Sequence, residues 1–157
     1  MLSLEVNGRG IGDEIDAQPG DVLRIEAEAG SAVPIDRIEL IVNGEVAASA
    51  AADGDGRHAV LSSELRVDGS CWIAVRVSGP EHELVLDPDG AFAHTSPVYV
   101  TVAGVPIARR ADAAYFVDWI ERLIAMTEAR ARFPSHAERD AVIAQLREGQ
   151  AYYRALV

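Results

Sequence analysis

The chain has 157 residues, 49% of them apolar and 25% charged, enough for one domain with or without an appendage and too apolar for a disordered chain. Its net charge is −11 and all 14 of its basic residues are arginine, a balance that repels phosphate backbones and anionic lipid and excludes nucleic acid and the membrane surface as natural partners. The lone Cys71 excludes an internal disulfide and a multi-cysteine zinc site; no apolar run approaches the ~18 residues of a membrane span, and the start does not read as a signal peptide, so a cytoplasmic location is expected.

The first two-thirds read as strands. A short strand, Leu2 to Val6, ends at Asn7-Gly8. Leu23, Ile25 and Ala27 alternate with Arg24, Glu26 and Glu28, and Ile38, Leu40 and Val42 alternate with Arg37, Glu39 and Ile41. Such period-2 alternation places one face in a core and the other in water. Asn43-Gly44 follows, and Val46 and Ala48 resume the alternation, which is the signature of a two-residue hairpin with both turn residues at positive φ. Ala59, Leu61, Leu65 and Val67 mark another strand. Cys71, Ile73, Val75 and Val77 mark the inward side of the next, and Val98, Val100 and Val102 the last. About seven short strands, with turn residues at a spacing of roughly ten, predict an antiparallel Ig-like β-sandwich. No long helical stretch separates them, which argues against a parallel βαβ sheet.

The period changes across Gly104-Val105-Pro106, so residues 1–104 form the expected sandwich and 105–157 a C-terminal α-helical hairpin. The charge changes with it. The first segment holds 18 acids and 6 arginines, a net −12; the second holds 7 acids and 8 arginines, a net +1. From Asp112 the apolar row is Phe116, Ile120, Leu123, Ile124 and Thr127, flanked by Tyr115, Trp119 and Met126. A helix apolar over so much of its circumference needs two neighbours, which predicts a hairpin packed on the sandwich as one unit. Phe133-Pro134 ends this helix, and Ser135-His136-Ala137-Glu138 opens the next as a capping box. Val142, Leu146, Tyr153 and Leu156 make its expected inner row, with Gly149 among them; close approach of a neighbour would be a reason to keep that glycine.

No catalytic constellation is written in the spacing. Asp53-Gly54-Asp55-Gly56 begins like a calcium loop, but Arg57 and His58 stand where an oxygen ligand and a glycine belong, so it reads as a turn; Asp87-Pro88-Asp89-Gly90 fails the same count. His58, His82, His94 and His136 share no metal-ligand spacing. Cys71 falls on an inward face and reads as an inert core residue. Gly8-Arg9-Gly10-Ile11-Gly12 leads into no βαβ unit and so is a weak phosphate loop. Three residues remain of interest. His94 stands just before the last strand, where a hydrogen-bonded structural histidine is expected. Trp72 and Tyr99 fall on outward faces, suited to a sugar platform, a protein interface or the floor under the hairpin; the hairpin's apolar girth favours the floor.

Taken in order, Pro34–Val46, Cys71–Pro80, Ala93–Val100 and the helix opening at Asp112–Leu123 resemble the C-terminal region of bacterial metallohydrolases with a PHP (polymerase and histidinol phosphatase) domain, in the branch that includes carbaryl hydrolase. The resemblance spans essentially the whole chain. It implies a non-catalytic accessory domain whose partner is an upstream catalytic domain of the same polypeptide. That domain would carry the His and Asp ligands of a divalent metal, and none of those ligand motifs occurs here. No catalytic residue, metal ligand or cofactor is therefore expected in this chain, and His94, Trp72 and Tyr99 are the candidates for an interface or for bordering a site. The alternative reading is a free-standing sugar- or peptide-binding module that uses Trp72 and Tyr99.

Overall fold

The computed structural model describes every residue from Met1 to Val157. The chain divides into two compact units, Met1–Ile107 and Ala108–Val157, close to the change of period in the sequence.

The first unit is an Ig-like β-sandwich of nine strands: β1 (Leu2–Val6), β2 (Glu14–Ala17), β3 (Asp21–Gly30), β4 (Arg37–Val42), β5 (Glu45–Ala51), β6 (His58–Val67), β7 (Cys71–Ser78), β8 (Phe92–His94) and β9 (Val98–Val102). One sheet has the order β1-β3-β6; the other runs β2-β9-β7-β4-β5, with β8 also paired to β7. The alternation read in the sequence sets the layers. Leu23, Ile25 and Ala27 from the first sheet, and Ile38, Leu40, Ile73 and Val75 from the second, are all buried in one core. Each valine, leucine or isoleucine among them contributes about 1.5–3 kcal/mol of transfer free energy. The β4–β5 hairpin turns at Asn43 (φ 52°) and Gly44 (φ 90°), the left-handed pair that the Asn-Gly dipeptide predicts.

Two features depart from the sequence reading. The sandwich is not purely antiparallel: β2 pairs with β9 in parallel, Glu14 opposite Tyr99 through Ala17 opposite Val102. After β1 the chain leaves the first sheet, adds a four-residue edge strand to the second, and returns as β3. A strand that arrives from the other sheet is free of the hairpin constraint that makes sequential neighbours antiparallel. The second departure is β8, hidden in sequence because Pro97 interrupts it. β8 and β9 lie along the same side of β7, opposite residues 76–78 and 71–73. Between them the buried Thr95 holds the line: its N–H donates to Val75 O (2.9 Å) and its hydroxyl accepts from Val75 N–H (3.2 Å).

The second unit pairs α1 (Arg110–Arg130) with α2 (His136–Arg154). Ile120 and Ile124 of α1 bury against Ile143 of α2, with Leu146 and Tyr153 beside them. The inner row of α2 is thus Ile143, Leu146, Gln150 and Tyr153, rotated from the expected row; Val142 and Leu156 are exposed. The reason is Gln150, which is buried while its amide nitrogen donates to Val117 O (3.2 Å) and to a Glu121 carboxylate oxygen (2.6 Å). Phe116 is 39% exposed and stacks on Tyr153 at a centroid distance of 4.9 Å. The Ser135 cap is formed: its hydroxyl accepts from Glu138 N–H at 3.2 Å. Gly149 has open space where a Cβ would stand, so no close neighbour accounts for it. Neither helix is long and apolar enough to cross a membrane.

Candidate functional site

The outer face of the second sheet is built on β7. Along that strand Trp72, Ala74 and Arg76 alternate with the buried Cys71, Ile73, Val75 and Val77, as the pattern predicts. The register then fixes their neighbours. Trp72 lies opposite Tyr99 on β9; Ala74 lies opposite Ile41 on β4; Arg76 lies between Glu39 on β4 and His94 on β8. The result is an open groove of about 610 Å³ with Trp72 and Tyr99 at one end and Arg76, His94 and Phe92 at the other. All three residues singled out in the sequence line this one groove.

The groove has an apolar middle and polar margins. Ala74 and Ile41, both read as outward-facing, are each only 7% exposed, a departure from simple alternation. Tyr99 is 41% exposed and Phe92 61% exposed. The Arg76 guanidinium Nε–H donates to a Glu39 carboxylate oxygen at 2.7 Å, and Arg37 stands 3.8 Å from the other oxygen. The Glu39 side chain is 14% exposed, so Arg76 is neutralised where it lines the groove. His94 makes the structural hydrogen bond expected of it, with Nδ1 3.1 Å from Thr95 O. A carbonyl only accepts, so Nδ1 carries the proton and Nε2 of the neutral ring is an acceptor. Its ring also lies 6.0 Å from that of Phe92. Sequence reasoning missed Phe92, Ile41 and the Glu39–Arg76 pair, since cross-strand register is not encoded in the alternation of a single strand.

The other candidates remain apart. Asp53–Gly56 is a turn, and His58 opens β6 with Nε2 2.9 Å from Glu28 Oε1 and Nδ1 3.3 Å from Asp53 Oδ2. Those carboxylates, Glu28 first, raise its pKa above the ordinary value of 6.5. His82 accepts from Leu84 N–H within its own loop, and His136 is the first residue of α2. Cys71 is buried and desolvation pushes its thiol pKa up, consistent with an inert core residue. No three His, Cys, Asp or Glu side chains converge in a geometry able to hold a metal ion, so the Asp87-Asp89 turn and His94 do not form a three-ligand site.

No protein-family profile matches the chain, and no curated protein matches it. Among solved structures it is similar to the fibronectin(III)-like modules of Clostridium thermocellum CbhA, at 14% identity over 66% of this chain and 99% of that chain, with a TM-score of 0.39. It is also similar to the CARDB domain of the PF1109 protein from Pyrococcus furiosus, crystallised in complex with di-metal ions, at 18% identity over 65% of this chain and 94% of that chain, with a TM-score of 0.39. The solution structure of that CARDB domain matches at 19% identity, 64% and 94% coverage and the same score. These are likenesses of fold and extend to no function.

Proposed function

We propose that this chain is the non-catalytic C-terminal accessory domain of a metal-dependent hydrolase of the PHP type. In this reading it packs on and stabilises a catalytic domain carried upstream on the same polypeptide, and the divalent metal and the hydrolytic chemistry belong to that domain. One observation supports the reading most. The segments 71–80 and 93–100, which carry the sequence resemblance, pair with each other as β7, β8 and β9 and build one continuous face. That face combines a nearly water-free centre at Ile41 and Ala74 with aromatic margins, a composition suited to contact with something outside the chain.

A second reading, a free-standing sugar- or peptide-binding module, is favoured by the direct cross-strand pairing of Trp72 with Tyr99. The reading frame on the 5′ side of the Met1 codon separates the two. The accessory reading predicts an uninterrupted coding stretch with paired histidines and aspartates. An in-frame stop, together with expression of these residues as an independent protein, would contradict it and leave the second reading.

A further inference from the structure

We propose that the groove on the outer face of β7 is a binding site for a short neutral saccharide. The inference deepens the second reading above and rests on it; its failure leaves the accessory reading to be decided by the upstream reading frame.

The sheet topology limits how an occupant can be held. β4 is paired on both sides, by β5 and β7; β7 by β4 and by β8 and β9; β9 by β7 and β2. Their backbone groups are engaged in ladders, so a peptide cannot add a strand to β4, β7 or β9, because strand addition needs a free edge. Only the three residues of β8 border the groove as an edge. An occupant is therefore held by side chains.

Those side chains select against charge. Arg76 is the one permanently charged residue lining the groove, and Glu39 already accepts from it at 2.7 Å. A phosphate or sulfate polymer would also approach against a net charge of −11. An aliphatic ligand fits poorly too, because it would strip water from the Tyr99 hydroxyl, His94 Nε2 and Ser96 hydroxyl without replacing their hydrogen bonds.

A pyranose meets both requirements. Its axial C–H groups form an apolar face that stacks on an aromatic ring, and its hydroxyls donate and accept around the rim. Trp72 and Tyr99 are direct cross-strand partners, which puts their Cβ atoms roughly 4.5–5.5 Å apart on one face. They form the platform; His94 Nε2 as an acceptor and the Arg76 N–H groups as donors lie toward the other end. The volume of about 610 Å³ is of the size that small-molecule sites take.

The test titrates cellohexaose, maltohexaose, xylohexaose and mannohexaose into the full chain carrying Trp119→Phe, which leaves Trp72 as its only indole. At least one sugar is expected to give a saturable change in Trp72 emission. Tyr99→Ala, at an exposed position, should weaken that binding by roughly tenfold with unchanged circular dichroism. Trp72→Ala should abolish it, read by calorimetry; if that variant fails to fold, Tyr99→Ala decides. No binding by any of the four sugars would overturn the proposal, as would binding that Tyr99→Ala leaves unchanged or that an uncharged peptide pool displaces.

Discussion

Gly149 sits inside α2 with nothing within 4 Å of where a Cβ would be. Glycine there costs helix stability without any packing return, so Gly149→Ala should raise stability by about 1 kcal/mol, measured from urea midpoints at equal slopes. An unchanged or lowered midpoint would mean that the helix is distorted at this position. His58 supplies a pH-dependent prediction. Glu28 and Asp53 favour its charged ring, so the folded chain holds that proton more tightly than the unfolded chain. Its stabilising contribution is full below the ordinary value of 6.5, while the two carboxylates are ionised, and is lost as pH rises through the raised folded value. The stability difference between the native protein and His58→Gln should therefore shrink from mildly acidic to alkaline pH; a difference independent of pH would show that the carboxylates do not charge the ring. Asp53 lies in the same turn as His58, but Glu28 was not legible as its partner, because it stands 30 residues away and meets His58 only through the β3–β6 register.

At the level of elements, the period of the sequence carried most of what is seen. The inward rows of β3, β7 and β9 are buried as the alternation requires, β4 keeps it at Ile38 and Leu40 but buries Ile41 more than Val42, and Asn43-Gly44 makes the turn its chemistry demands. What escaped was set by tertiary context. β2 is short and draws its direction from β9; β8 is cut from β9 by Pro97; and the inner row of α2 is turned by one polar residue, Gln150, that hydropathy places outside. The N-terminus of α2 was legible because capping is local chemistry. Ser135→Ala should cost about 1 kcal/mol by leaving the Glu138 amide without its acceptor, visible as a lowered urea midpoint. Coincident midpoints would show that the cap contributes nothing. The reciprocal half of the predicted box, from the Glu138 carboxylate to the Ser135 amide, is not formed, so the loss should not exceed that of a single cap.

Across the whole molecule, the two units differ in what they bury. The sandwich encloses a continuous two-sheet core, whereas the helical unit centres on Ile120, Ile124 and Ile143. Residues 108–157 alone should therefore show no cooperative unfolding transition, while residues 1–107 should unfold cooperatively; a sharp melt of the isolated helical fragment would contradict this. The candidate site was half legible. Its aromatic end followed from parity along β7 and β9, since Trp72 and Tyr99 had to point out if their neighbours pointed in. Its opposite end needed the pairing of β7 with β4 and β8, which joins residues 37 and 18 positions apart. We propose that this chain contributes a surface and holds no metal centre of its own. Elemental analysis of the dialysed protein, beside His94→Ala, tests it most directly. The account predicts no stoichiometric metal in either sample. One tightly bound transition metal per chain, lost in the His94 variant, would contradict it and place a metal centre in this domain.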